Sequence, residues 1–207
     1  DDARVATDLN NLAQVLNDKG DLAAAEPLAR QALEMRRRLY PGDHEDLAES
    51  LNNLAHLHHG RGDVVGAVTL FREALAMSRR LYPGDHPRVA GGLNNLSVLL
   101  KNSGDLAGAE PLARETLEMR RRLFPGDHPY VATGLNNLGL MAKNLGQLDK
   151  ATEYLRAAVG HHEQVGDTLA VGQSLHNLGI VELKAGRWEA ARAHFDRALR
   201  LVEGLGN

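Results

Sequence analysis

The quartet Leu9-Asn10-Asn11-Leu12 returns at Leu51-Asn52-Asn53-Leu54, Leu93-Asn94-Asn95-Leu96 and Leu135-Asn136-Asn137-Leu138, each time after 42 residues. A fifth copy, Leu175-His176-Asn177-Leu178, follows after 40. A fixed period of this length constrains a chain more than any local motif, because each unit must be one supersecondary element that buries its apolar face only by stacking on its like. Gly20, Gly62, Gly104, Gly146 and Gly186 keep the same beat, as do Ala25, Ala67, Ala109, Ala151 and Ala191. Pro-Gly-Asp-His closes the first three units at Pro41–His44, Pro83–His86 and Pro125–His128. Five units account for residues 1–207, with repeats at about 3–44, 45–86, 87–128, 129–167 and 168–207.

Each unit reads as two helices, here called A and B. In the second unit Leu51, Leu54, Ala55 and Leu57 give an apolar stripe at i, i+3, i+4 that breaks at Gly60 and Gly62. Asp63 caps a second helix carrying Ala67, Leu70, Phe71, Ala74 and Leu75, which must stop by Tyr82 because Pro83 forces its predecessor out of the α region. Tyr-Pro-Gly-Asp fits a type II turn with Gly third. Pro27 and Pro111 fall inside B helices and should bend them. Small residues stand where paired helices should approach closely: Ala13, Ala55, Ser97, Gly139 and Gly179. With only 4% aromatic residues the core must be made of Leu and Ala, which argues against a large sheet.

The pattern resembles the tetratricopeptide repeat, with Leu then Gly or Ala in helix A, Gly at the turn, and Ala, a bulky residue and Ala in helix B. The 42-residue period with Leu-Asn-Asn-Leu and a Gly-Asp-His-Pro link is similar to the kinesin-light-chain type. His86-Pro87 and His128-Pro129 match that link, and His44-Glu45 departs from it. Gln164-Val165-Gly166-Asp167 replaces the turn after the fourth unit and looks like the repeats of bacterial multidomain signalling NTPases. The resemblance implies an all-α right-handed solenoid of five helix pairs, with helix A on the concave side. Asp1 aligns with Asp43, Asp85 and Asp127, and Leu205-Gly206-Asn207 with Val165-Gly166-Asp167, so the chain is expected to be a single array excised from a longer protein. His194, where other repeats carry Leu28, Leu70, Leu112 and Tyr154, points the other way, as a polar capping face would.

Chemistry finds few footholds. There is no cysteine, and no hydrolase elbow, zincin helix or Walker loop. The segment Gly60–Gly66 is glycine-rich but follows no strand, and its Arg61-Gly62-Asp63 tripeptide sits in a slot where Asp21 and Asp105 are also helix caps. A metal is not expected. His44, His86 and His128 recur once per repeat, about 10 Å apart on stacked helices, whereas zinc ligands lie about 2 Å from the ion. A turn histidine bonding nearby backbone explains them better, and His56 with His59 lacks further ligands. The series Arg36-Arg37-Arg38, Arg79-Arg80 and Arg120-Arg121-Arg122 reads as an edge ladder complementing the helix dipoles, with a phosphate strip as the weaker alternative. A net charge of −3, from 24 Lys+Arg against 27 Asp+Glu, argues against nucleic acid, and no apolar run is long enough for a membrane span.

The asparagines are harder to dismiss, because Asn is a mediocre helix former yet two in succession occupy mid-helix A. They either form an inter-repeat hydrogen-bond ladder or grip a peptide backbone, since an amide offers donor and acceptor together. The resemblance places the second Asn of each pair at the ligand-holding position. The candidate groove is therefore Asn11, Asn53, Asn94, Asn95, Asn136, Asn137 and Asn177, with Val98, Leu140 and Ile180 flanked by Lys101, Lys143 and Lys184. That floor suits an acidic peptide with apolar anchors. The expected function is a cytoplasmic, non-catalytic module that holds a protein or peptide segment without a cofactor. The alternative is a sensor or oligomerisation arm of a larger bacterial signalling effector carrying an NTPase, kinase or caspase-like protease domain.

Overall fold

A computed structural model describes residues 2–205. Asp1, Gly206 and Asn207, which enter the alignment of the chain ends, lie outside the described residues. Among the described residues ten α-helices follow one another without a strand: α1 (Ala3–Asp18), α2 (Leu22–Leu39), α3 (Glu45–Gly60), α4 (Val64–Leu81), α5 (Pro87–Asn102), α6 (Leu106–Leu123), α7 (Pro129–Asn144), α8 (Leu148–Val165), α9 (Thr168–Lys184) and α10 (Trp188–Leu205). Odd helices are A and even helices B. The chain divides into two compact units after Gly104. In the first, α1 packs on α2, α2 on α3, α3 on α4 and α4 on α5; in the second, α6 packs on α7, α7 on α8, α8 on α9 and α9 on α10.

The helix boundaries follow from capping. Asp21, Asp63, Asp105 and Asp167 each accept a backbone N–H through Oδ1, from Ala24, Gly66, Gly108 and Ala170 at 2.9–3.1 Å. Such a bond satisfies one of the orphan donors of a first turn. Gln147 makes no such bond at the start of α8. The A helices α3, α5 and α7 are capped by His44, His86 and His128, whose Nδ1 accepts from the backbone of Asp46, Arg88 and Tyr130 at 3.2 Å. Pro87 and Pro129 stand at the first position of α5 and α7, where the missing N–H is harmless. In the linking turns Gly84 and Gly126 have φ of +91° and +89°, as a type II turn requires. Gly42 does not share that conformation. The neighbouring Asp43 is held by a two-pronged contact from Arg80, at 2.6 and 2.7 Å.

The core is Leu against Ala. Leu51, Leu93, Leu135 and Leu175 are at most 1% exposed, as are Ala25, Ala67, Ala109, Ala151 and Ala191. Close approach is literal at two positions. A Cβ on Gly139 would lie 2.6 Å from Leu155, and one on Gly179 would lie 2.6 Å from the Phe195 ring. Each repeat covers its neighbour: Leu33, Leu75, Leu117 and Val159 on the B helices are buried, whereas their equivalent Leu199 on α10 is 58% exposed. Likewise Leu12 on α1 is exposed and Leu54, Leu96, Leu138 and Leu178 are not. His194 is half-buried, and the outer side of α10 presents Leu199 and Val202.

In the second unit, Gly166 closes α8 in the left-handed region and Asp167 opens α9. The fully buried Glu182 of α9 receives Arg156 from α8 at 3.2 Å and Arg187 from the turn before α10. Arg187 also reaches Thr152 at 3.0 Å and Asp149 at 3.1 Å. The divergent junction between the fourth and fifth repeats is thus braced by ion pairs that the others lack the residues to make.

Glycine substitutions test this packing. Gly179→Ala should destabilise the chain by about 1–3 kcal/mol, because Phe195 must give way. Gly160→Ala in α8, where a Cβ meets nothing within 4 Å, should stabilise it by about 0.5–1 kcal/mol. Urea unfolding of the two variants beside the parent reads both signs.

Candidate functional site

The repeated histidines are structural. Besides capping, each ring stacks on the aromatic residue four positions earlier: His44 on Tyr40, His86 on Tyr82 and His128 on Phe124, with centroids 3.5, 3.9 and 4.2 Å apart. Asp63 of the Arg-Gly-Asp tripeptide is likewise engaged. It accepts from Gly66 N–H and lies 2.7 Å from His58, and these bonds hold its carboxyl below the usual range.

The arginines need a correction. The sequence suggests an edge ladder, but Arg36 and Arg120 are 2% and 8% exposed, seated beneath the next A helix. Arg36 Nη1 donates to the Asp46 carbonyl and to Ser50 Oγ, both at 2.8 Å, and Nη2 donates to Thr7 Oγ1 at 3.3 Å. Arg120 Nη1 donates to the Tyr130 carbonyl at 3.0 Å, with its guanidinium 5.3 Å from the Tyr130 ring. The reason is geometric: they fall on the face of helix B that the following repeat covers, and their fork finds acceptors there. Arg37 and Arg80 do lie outside, paired with Glu73 and Asp43.

The asparagine rows form contacts between repeats. Asn53 Nδ2 donates to Asn10 Oδ1 at 3.1 Å in the first unit, and Asn177 Nδ2 donates to Asn136 Oδ1 at 3.1 Å in the second. Each runs from the second Asn of one repeat to the first Asn of the repeat before. Asn10 is buried and passes the chain on to Glu49 Oε1 at 3.3 Å. Asn11 is exposed; Asn53, Asn94, Asn95, Asn136, Asn137 and Asn177 are half-buried. Of the remaining candidate groove residues, Val98 and Lys101 are half-buried on α5, Leu140 and Lys143 on α7, and Ile180 on α9, while Lys184 is exposed. In the second unit Lys143 and Lys184 occupy the last turns of two A helices, α7 and α9.

The first unit also holds a cavity of about 250 Å³ between α3, α4 and α5, lined by Glu45, Glu49, Asn52, Ser78, Arg88 and Gly92 among others. Asn52 Nδ2 donates to the Ala48 carbonyl at 2.9 Å, and its Oδ1 is buried without a hydrogen-bond partner. Glu45 is occupied by the Tyr82 hydroxyl at 2.8 Å and by Arg88 at 3.3 Å. His56, also on the cavity wall, packs edge-on to Phe71, and burial together with nearby His59 pulls its pKa down. Sequence reasoning missed this cavity. The signal was Ser78, which breaks a 42-residue series running Arg36, Ser78, Arg120 and His162.

His162 is buried in the same series, and its Nδ1 has no partner among the described residues. Burial lowers its pKa, His161 adds to the effect, and Asp167 opposes it. The folded state therefore binds fewer protons than the unfolded one just below the ordinary value of about 6.5. Stability contributed by neutral His162 should be present above that value and be lost as pH falls through it. His56 and His194 are shifted the same way by burial. Calorimetric melting between pH 7.5 and 5 should show a falling midpoint, and His162→Gln should flatten that slope. An unchanged slope would remove His162 from the account.

Comparisons with known proteins agree with this geometry. Among curated proteins none matches the chain. The crystal structure of BtubC (BKLC) from P. vanneervenii superposes with a TM-score of 0.89 at 28% identity, over 99% of this chain and 82% of that one. The nearly identical TPR-like repeats of kinesin-light-chain type from Podosopora anserina give 0.85 at 18%, over 98% and 97%. A Rap protein complexed with Competence and Sporulation Factor gives 0.74 at 17%, over 94% and 53%. Models of the tetratricopeptide repeat match residues 4–80, 89–130 and 130–204. The fold is an all-α repeat solenoid, and the chain belongs to the tetratricopeptide repeat family.

Proposed function

We propose that the chain is a non-catalytic interaction module that holds a protein or peptide segment in the groove lined by its A helices. The observation that carries this reading is the row of half-buried amides on those helices, beside a cavity whose acceptors are not all satisfied. A backbone can be gripped by amides whatever its side chains, and Lys101, Lys143 and Lys184 suit carboxylates on the segment. Support comes also from the Rap protein of similar fold, which is complexed with Competence and Sporulation Factor. A cytoplasmic setting belongs to the same proposal; among the described residues no helix is long and apolar enough to cross a membrane.

A second reading makes the array one arm of a larger bacterial signalling effector. It draws on the exposed apolar residues Leu199 and Val202, whose equivalents in the preceding repeats are buried. Such a face suits contact with a further repeat or a sister subunit.

Selection of a random peptide library on the immobilised protein, followed by calorimetry on the enriched sequences, tests the groove. Asn95→Ala and Asn137→Ala should each weaken binding by about 1–3 kcal/mol, as expected when a buried peptide group loses its partner. Lys143→Ala and Lys184→Ala should mainly slow association and flatten its salt dependence. Peptides that bind all four variants as they bind the parent would refute the groove.

A further inference from the structure

We propose that the cavity beside Ser78 is a specificity pocket for an arginine side chain of the bound segment. This rests on the reading that the A helices hold a peptide, and it names the residue the groove would select.

The argument is internal to the repeats. In the first repeat the chain's own Arg36 fills the space beneath the next A helix, bonded to Thr7 Oγ1, the Asp46 carbonyl and Ser50 Oγ. Arg120 does the same against the Tyr130 carbonyl. One period after Arg36 the residue is Ser78, which is 4% exposed and too short to reach the end of that seat. The seat's other members translate to Glu49 for Thr7, the Arg88 carbonyl for that of Asp46, and Gly92 for Ser50. All four residues line the cavity. Gly92 offers no counterpart to the Ser50 hydroxyl, but the carbonyl is kept, a carboxylate stands where the Thr7 hydroxyl stood, and the occupant is removed.

The lining selects the occupant. A guanidinium has five donors and no acceptor, and the lining offers it acceptors: the Glu49 carboxylate, the partnerless Asn52 Oδ1 and the second lone pair of the Arg88 carbonyl, beside the mixed amide of Asn95. Glu45 is already satisfied by Tyr82 and Arg88, which leaves Glu49 with one amide contact from Asn10. An aliphatic side chain would bury Glu49 and Asn52 Oδ1 without partners, and an acidic one would meet Glu49 at like charge. The planar fork of arginine matches a carboxylate with two parallel bonds, which an ammonium does not.

The test titrates the ¹⁵N-labelled chain with acetyl-Gly-Arg-Gly-amide and with its lysine, citrulline and leucine counterparts. The arginine peptide should give saturable shifts at the amides of Asn52, Gly91 and Gly92, and should bind about tenfold or more tightly than the citrulline peptide, since charge-assisted bonds are the stronger. Ser78→Arg refills the seat and should abolish those shifts while its circular dichroism stays that of the parent. Glu49→Gln should weaken the arginine peptide by about tenfold and leave the citrulline peptide unchanged; it decides alone if Ser78→Arg does not fold. No saturable shift with arginine, equal binding of citrulline, or an unaltered response in folded Ser78→Arg overturns the pocket. Equal binding of all four peptides would leave the groove standing without the pocket, and binding of none would remove both.

Discussion

Every helix pair in this chain depends on a neighbour to cover it. Leu33, Leu75, Leu117 and Val159 lie on B helices and are buried only because the next A helix rests on them; Leu199, at the same position on α10, is open. Alanines at the B-helix approach and glycines at 139 and 179 set how closely the helices can come, and Leu fills what remains. No pair has a core of its own, so stability resides in the interfaces. Everything placed under a following helix inherits that burial, polar groups included.

That burial gives the B-helix series of Arg36, Ser78, Arg120 and His162 its meaning. A side chain at this position is sealed beneath the next A helix and must find partners there. Arginine finds carbonyl and hydroxyl oxygens, histidine has its pKa pulled down by burial, and serine leaves a cavity. The asparagine rows follow the same logic on the A-helix side. Asn53 and Asn177 spend a donor on the preceding repeat, which ties neighbours together while leaving amide surface on the helix-A face. In the proposed groove, scaffold and recognition draw on the same residue type because an amide has two ends.

The period, the helix ends and the small-residue contacts were legible because each is a local rule repeated along the chain. Asp63 caps its helix and the turn histidines bond backbone, as their spacing implied. The arginines were misread because sequence shows where a residue lies along a helix, and the covered face is decided by the neighbouring repeat. How the amide rows connect was not legible, since the bonds join residues 43 positions apart at Asn53 and 41 at Asn177. The cavity was visible as one break in a series, yet a serine among arginines carries no meaning until the series is known to be buried.

The central claim is that the space beneath α3 and its counterpart beneath α5 are the same guanidinium seat, filled from within by Arg36 in the first repeat and empty beside Ser78 in the second. Arg36→Ser tests it most directly, with melting temperature followed in the presence and absence of millimolar methylguanidinium. The account predicts that Arg36→Ser melts lower than the parent, and that methylguanidinium restores part of the loss while giving no such gain in Ser78→Arg. A parent-like melting temperature for Arg36→Ser, or an equal effect of methylguanidinium on both variants, would contradict it.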